Sequence, residues 1–152
     1  MQDSQLILSD EQVITANATT VASTNVIDLG LVYDHKGVAL LSFGPENGRD
    51  RLIVTVGIKP TAGTALYLEL QDCATVDGTY KPVGIGIDSA NAIPIATLVV
   101  GYEILDVPLP RGLRECIRLL YTTTGDWSAS VGTINARIDS GSTTKNQTPV
   151  RV

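Results

Sequence analysis

The stretch RLIVTVGIK, residues Arg51–Lys59, decides the fold class. Apolar side chains occupy every second position, at Leu52, Val54, Val56 and Ile58. Successive side chains of a strand point to opposite faces, so a period of two predicts a β-strand with one buried face. The next apolar segment, TALYLELQDC at Thr64–Cys73, repeats the pattern with three leucines on one face. The middle of the chain is therefore predicted to form two half-buried strands.

The rest of the chain carries the same signal. It contains 15 Val, 13 Ile and 17 Thr but only 5 Glu and 4 Lys, and side chains branched at Cβ favour strands over helices. Turns rich in Gly, Pro, Asn and Asp separate further strand candidates at residues 6–15, 21–29, 38–43, 83–87, 104–107, 114–122 and 131–138. Ile95–Gly101 is compatible with a strand or with a single helical turn, because its period is ambiguous.

These elements predict an all-β fold, a single-domain antiparallel β-sandwich. No helical pattern is long enough to connect parallel strands, which excludes a βαβ architecture. From the residues alone, jelly-roll and immunoglobulin-like topologies both remain open. Residues 1–138 are predicted to form the domain, and residues 139–152, rich in Ser, Thr, Gly and Asn, a flexible C-terminal tail.

Charge and hydropathy exclude two classes of partner. The net charge is −5 and basic residues form no cluster, so neither nucleic acid nor an anionic membrane is expected to bind. The longest apolar stretch, Ala92–Val100, is interrupted by Pro94 and Thr97, so no membrane span is expected. The opening Met1–Ser4 lacks the features of a signal peptide, which predicts synthesis in the cytoplasm.

The histidine and the cysteines give no sign of catalysis or of metal binding. His35 is the only histidine and lies in a polar turn, where we expect an exposed loop residue. Cys73 and Cys116 lack a Cys-x-x-Cys spacing, which excludes the common zinc and thioredoxin-like motifs. Each lies on the polar face of its strand, and a reducing cytoplasm favours two free thiols over a disulfide.

The acidic residues and glycines are weak candidates for catalysis, calcium binding and phosphate binding. Asp72 and Asp77 are the best pair for carboxylate catalysis, but both adjoin a turn, where the burial that raises a carboxyl pKa is not expected. Asp88 does not complete a calcium loop with them. Gly84-Ile85-Gly86 lacks the lysine of a phosphate-binding loop. The sequence predicts no catalytic residues, no metal and no cofactor.

Two apolar features are candidates for partner contact. Leu6-Ile7-Leu8 near the polar N-terminus is either a docking segment or the first strand of the core. Trp127, after Gly125-Asp126, is either an exposed anchor for a partner or sugar or a lid on the end of the core.

Several segments resemble a family of tailed-bacteriophage capsid cement (decoration) proteins, typified by that of a Bordetella phage. Near the start they read LSDEQ at 8–12, IT at 14–15 and STNVIDLG at 23–30. Later they read AIPIATLVVGY at 92–102, VPLPRG at 107–112, IRLLYT at 117–122, and the final strand to Ile138. The chain departs from the family pattern at Glu115-Cys116 and in the loop Gly44–Asp50.

The resemblance implies a jelly-roll protein without catalytic activity that binds the exterior of the assembled phage head. Its expected partner is the major capsid protein, and it is expected to act as a homo-oligomer, a dimer rather than a trimer. Its expected location is the virion, after synthesis in the host bacterial cytoplasm. The candidate contact residues are Leu6, Ile7, Leu8, His35 and Trp127. The alternative is a carbohydrate- or receptor-binding sandwich displayed on the virion.

Overall fold

The computed structural model describes residues 6–15, 19–28, 50–110 and 112–140. They contain ten strands and two single 3₁₀ turns, at Ser89–Asn91 and Ile95–Thr97. The strands are β1 Ile7–Val13, β2 Thr20–Ala22, β3 Ile27–Asp28, β4 Asp50–Ile58, β5 Ala65–Cys73, β6 Lys81–Ile87, β7 Ile93–Pro94, β8 Glu103–Pro108, β9 Cys116–Thr124 and β10 Thr133–Ser140. The predicted all-β fold is therefore confirmed.

The strands form two antiparallel sheets. One sheet has the order β1-β10-β4-β8. The other has the order β2-β9-β5-β6, with β3 also pairing with β9 and β7 with β5. Consecutive strands lie in different sheets except within β2–β3 and β5–β7, so both sheets are built from distant segments.

The core lies between the sheets, on the faces that the period of two predicts. The fully or almost fully buried side chains include Leu52, Val54 and Val56 on β4, Leu66, Leu68 and Leu70 on β5, Ile117, Leu119 and Tyr121 on β9, and Ile134, Ala136 and Ile138 on β10. The Tyr121 hydroxyl lies 2.8 Å from that of Ser9 on β1, and burial raises the pKa of Tyr121 well above its ordinary value. Strand β1 is thereby linked to the opposite sheet.

The sandwich has two ends, which we name by their residues. At the tryptophan end lie Val13, Ile58, Ala65, Thr124 and Thr133, where β1, β4 and β9 finish and β5 and β10 begin. At the cysteine end lie Ile7, Asp50, Cys73 and Cys116. These ends decide which candidate residues can share a surface.

Several boundaries differ from the predicted ones. The strand expected at residues 21–29 is divided into β2 and β3. In Ile95–Gly101, whose sequence is compatible with a strand or a single helical turn, the structure has a 3₁₀ turn at Ile95–Thr97. Strand β10 continues to Ser140, where it pairs with Asp50, so the sandwich extends two residues beyond the expected boundary at 138. The predicted strand 38–43, His35, and residues 141–152 of the expected tail lie outside the described residues.

Candidate contact surface

The structure does not bring the predicted contact residues together. Leu6 and Ile7 are half-buried and Leu8 is fully buried, all at the cysteine end. Trp127 is fully buried at the tryptophan end. His35 lies outside the described residues. The predicted contacts therefore do not form one exposed surface, and Leu8 and Trp127 cannot contact a partner without leaving the core.

Ile7 and Leu8 belong to the first core strand, and Leu6 packs against the core just before it, so the three residues do not form a free docking segment. The Leu8 carbonyl accepts a hydrogen bond of 2.9 Å from the Asn25 amide, and the Asn25 side chain donates to the Ile7 carbonyl at 3.2 Å. Leu8 packs in the main core cluster. Burying a leucine contributes about 1.5–3 kcal/mol, so this strand stabilises the sandwich.

Trp127 is the lid of the core, the second of its two sequence interpretations. Its indole Nε1 donates to the Thr124 carbonyl at 2.9 Å, which satisfies the buried donor. The Gly63 backbone, with φ +110, lies directly against the indole, and a Cβ at residue 63 would overlap the ring. The exposed-anchor interpretation is wrong because this close packing leaves the ring no exposed surface.

A row of exposed aliphatic side chains lies at the same end. We call Val13, Ile58, Val99, Val100 and Val131 the apolar rim; their exposed fractions are 50%, 46%, 46%, 68% and 58%. Among the described residues only one further large hydrophobic side chain is comparably exposed, Val76 in the turn between β5 and β6. Clustering of exposed apolar side chains, unlike isolated exposure, is typical of interaction surfaces.

Strand register and backbone hydrogen bonds place the rim residues at the same end of the first sheet. Val13 and Ile58 are both register partners of Thr133, on either side of β10. Val131 lies two residues before Thr133, and its amide donates to the Thr61 hydroxyl at 3.4 Å. Val99 and Val100 precede Gly101, whose amide donates to the Val56 carbonyl at 2.9 Å. The rim therefore follows the end of the first sheet from β1 across to β8.

A groove of about 540 Å³ crosses the outer face of the other sheet. Its walls include Tyr67 and Glu69 on β5 and Thr122 on β9. Gly86 has φ +147, and a Cβ there would overlap the Leu68 carbonyl, so only glycine lets β6 approach β5 this closely. The groove combines one aromatic face, hydroxyls and a carboxylate.

Asp72 is buried, which corrects the expectation that it lies in an exposed turn. Its Oδ1 accepts from Arg114 Nε at 2.9 Å and Nη2 at 2.7 Å, and its Oδ2 accepts from the Arg114 amide at 2.9 Å. Burial raises the pKa of Asp72, but these hydrogen bonds and the positive charge of Arg114 outweigh it and hold the pKa below its ordinary value. Asp72 is thus an ionised structural partner, the opposite of a general acid.

The two cysteines are free thiols, and both are buried. Their predicted place on the outer face of the sheet agrees with the register, since Cys73 follows Gln71 and Glu69 on β5. The side chains are nevertheless only 3% and 1% exposed. The turn between β5 and β6, which folds against Cys73, explains part of this burial.

The described part of the chain has neither a metal-binding cluster nor a membrane-spanning helix. No group of three or more His, Cys, Asp or Glu side chains there is arranged to hold a metal ion. None of its helices is long and apolar enough to cross a membrane.

The apolar rim was not identified from the sequence, although a local signal exists. Val100 precedes Gly101, Val131 precedes Gly132, and Ile58 comes two residues before Pro60. An aliphatic residue beside a chain-reversing glycine or proline lies at the end of its strand, where the opposite sheet no longer covers it. That these ends coincide depends on strand register, which periodicity does not provide.

The sandwich thus offers two candidate contact surfaces, the apolar rim at one end and the groove on the outer face of the second sheet. Comparison of the chain with known protein families and with characterised proteins finds no match.

Proposed function

We propose that the protein is a capsid cement (decoration) protein that binds the outside of a phage head and stabilises contacts between major capsid subunits. The family resemblance over most of residues 6–138 is the reason for naming the major capsid protein as the partner. The observation that carries the proposal structurally is the apolar rim, five exposed aliphatic side chains on a framework of two sheets. A cement protein needs a rigid body with a contact surface, and it needs no catalytic site.

We further propose that the sandwich is a jelly roll. The strand order supports this, because β1-β10-β4-β8 faces β2-β9-β5-β6 and, outside β2–β3 and β5–β7, successive strands lie in different sheets. Two interleaved four-stranded sheets with such crossings are typical of two Greek keys wound together. An immunoglobulin-like sandwich has a different order, A-B-E-D in one sheet and C-F-G in the other.

The rim supports binding at a joint between capsid subunits. Apolar side chains at the centre of an interface contribute most when surrounding polar groups exclude water. In the proposal the protein acts as a homo-oligomer, a dimer before a trimer, because a symmetric decorator engages equivalent sites on the shell together. Its location in the proposal is the exterior of the virion.

The test is co-sedimentation with phage heads assembled from the major capsid protein that the proposal names as partner. The variant Val100→Asp, Val131→Asp carries charges on two exposed rim positions and should lose binding at least about tenfold, equivalent to about 1.4 kcal/mol. The matched control is Val76→Asp, which is 54% exposed but lies at the cysteine end and should bind like wild type. Binding by wild type should depend little on salt, because a chain of charge −5 without a basic cluster gains little from counterion release. Unchanged binding by the rim variant would remove the rim from the proposal.

The groove favours a second candidate, a carbohydrate- or receptor-binding sandwich. Tyr67 presents an aromatic face, and Glu69 and Thr122 supply polar groups that can bind sugar hydroxyls. The same co-sedimentation and a glycan array distinguish the candidates. Tyr67→Ala should leave head binding intact if the protein is a cement. If glycan binding is the function, that variant should lose array signals that wild type gives.

A further inference from the structure

Cys73 and Cys116 face each other across the second sheet. They are register partners at the end of the antiparallel pair β5–β9, although 43 positions separate them in sequence. Paired residues of adjacent strands direct their side chains to the same face. Both thiols therefore lie on the outer face of one sheet, at the cysteine end.

The spacing of such a pair suits a disulfide. Directly opposed residues of an antiparallel pair have Cα atoms about 4.5–5.5 Å apart. A disulfide joins residues whose Cα atoms are about 4.4–6.8 Å apart. The backbone of β5 and β9 need not move far for the two sulfurs to bond.

The exposed turn between β5 and β6 forms part of the cover over the pair. The Gly78 backbone lies against the Cys73 sulfur so closely that a Cβ at residue 78 would overlap it. All residues of the turn Ala74–Thr79 are themselves exposed. Burial, followed by the nearby Asp28 and Glu115, raises the pKa of the Cys116 thiol, which keeps it protonated and slow to react.

We propose that Cys73 and Cys116 form a redox-controlled modification site, which closes into an intrachain disulfide when the protein meets a disulfide oxidant. One thiol loses its proton and attacks the oxidant, giving a mixed disulfide and one released thiol. The second thiolate then attacks the protein sulfur, forming the Cys73–Cys116 bond and releasing the second thiol. The two protein protons leave on the two released thiols, so the protein loses two electrons that the oxidant gains.

This site adds a property that the proposed function does not require. In a reducing cytoplasm the pair stays open, and in an oxidising surrounding it links β5 to β9 at the end where β3 also joins β9. The link closes the loop from residue 73 to residue 116, which restricts the unfolded chain and stabilises the fold. The cysteine pair is expected to form this disulfide whether the sandwich binds a shell or a glycan.

The test treats the native, reduced protein with oxidised glutathione and maps the products. Trypsin should release Cys116 in the tetrapeptide Glu115–Arg118 and Cys73 in the fragment 52–111. We expect these two peptides to be joined, the intact chain to lose about 2 Da, and the chain to remain monomeric on a non-reducing gel. The melting temperature should rise by about 5–10 °C and return on reduction.

Cys73→Ser and Cys116→Ser are the matched controls, since each retains one thiol and should show no oxidant-dependent rise in melting temperature. The peptide map of wild type carries the test even if either variant folds poorly. The proposal is overturned if native wild type keeps both thiols free under conditions that join them in the denatured chain. It is equally overturned if the oxidised cysteines are found joined between two chains.

Discussion

At the residue scale, Trp127 illustrates how backbone conformation places a side chain. It is the largest fully buried side chain of the described chain, yet it follows a polar turn that would suit an exposed loop. The indole lies inside because Gly63 has no side chain and adopts φ +110, which opens space for the ring. A sequence in which residue 63 carried a Cβ would have to expel the ring or shift the loop.

Gly63→Ala is therefore expected to destabilise the protein by about 2–4 kcal/mol, through backbone strain and overlap with the indole. Urea unfolding followed by tryptophan fluorescence measures this loss and the exposure of the ring. Gly112→Ala is the control, because Gly112 also has positive φ, +79, but has no atom near the added Cβ. It should lose only about 1 kcal/mol. Equal losses in the two variants would argue against the lid.

At the element scale, Asp72 fastens the segment preceding β9 to the end of β5. Because Arg114 holds the pKa of Asp72 below its ordinary value, the folded protein binds this proton less readily than the unfolded chain. The contribution of Asp72 to stability is thus present above the unfolded pKa of about 3.9 and is lost as pH falls through the lower folded value.

Asp72→Asn should lower the melting temperature at pH 7, and the difference from wild type should shrink steadily below about pH 4. Thermal unfolding followed by circular dichroism between pH 7 and pH 2 measures it. Asp106→Asn serves as control, because Asp106 pairs with Arg51 at the surface, with side chains 33% and 45% exposed. Surface pairs contribute little, so this variant should melt close to wild type. A pH-independent loss in Asp72→Asn would contradict the assignment.

The sequence predicts a structural feature well when that feature depends only on residues close together in the chain. The period of two at β4 and β5 is local, and the predicted strands there agree with the structure within a residue or two. The burial of Asp72 and the facing of Cys73 and Cys116 depend on which distant strands are neighbours. Periodicity gives the face of a strand but not its partner, so the sequence predicts no burial of Asp72 and favours free thiols without showing that Cys73 and Cys116 face each other.

At the scale of the whole molecule, the two ends of the sandwich differ in character. The tryptophan end carries the apolar rim over a fully covered core, and the cysteine end carries the Asp72–Arg114 pair and the two thiols. The tryptophan end thus suits burial against another protein. The cysteine end holds the ion pair and the cysteine pair, to which we assign the stabilisation of the fold. In the proposed jelly-roll cement protein, the apolar rim is the surface that contacts the shell.

A decorator joins subunits that already hold together, so heads lacking it should still assemble but rupture more readily. Added joints raise the barrier to separating neighbouring subunits, which is a kinetic form of stability. Adding the protein back to such heads therefore tests the proposed surface and the proposed role on the same particle.

The most direct measurement is the rupture temperature of purified heads that lack the protein, taken before and after wild type is added back. The cement proposal predicts that wild type and Val76→Asp raise the rupture temperature, and that the double rim variant Val100→Asp, Val131→Asp does not. A rupture temperature that stays the same after adding saturating wild-type protein would contradict the proposal and favour a glycan- or receptor-binding role.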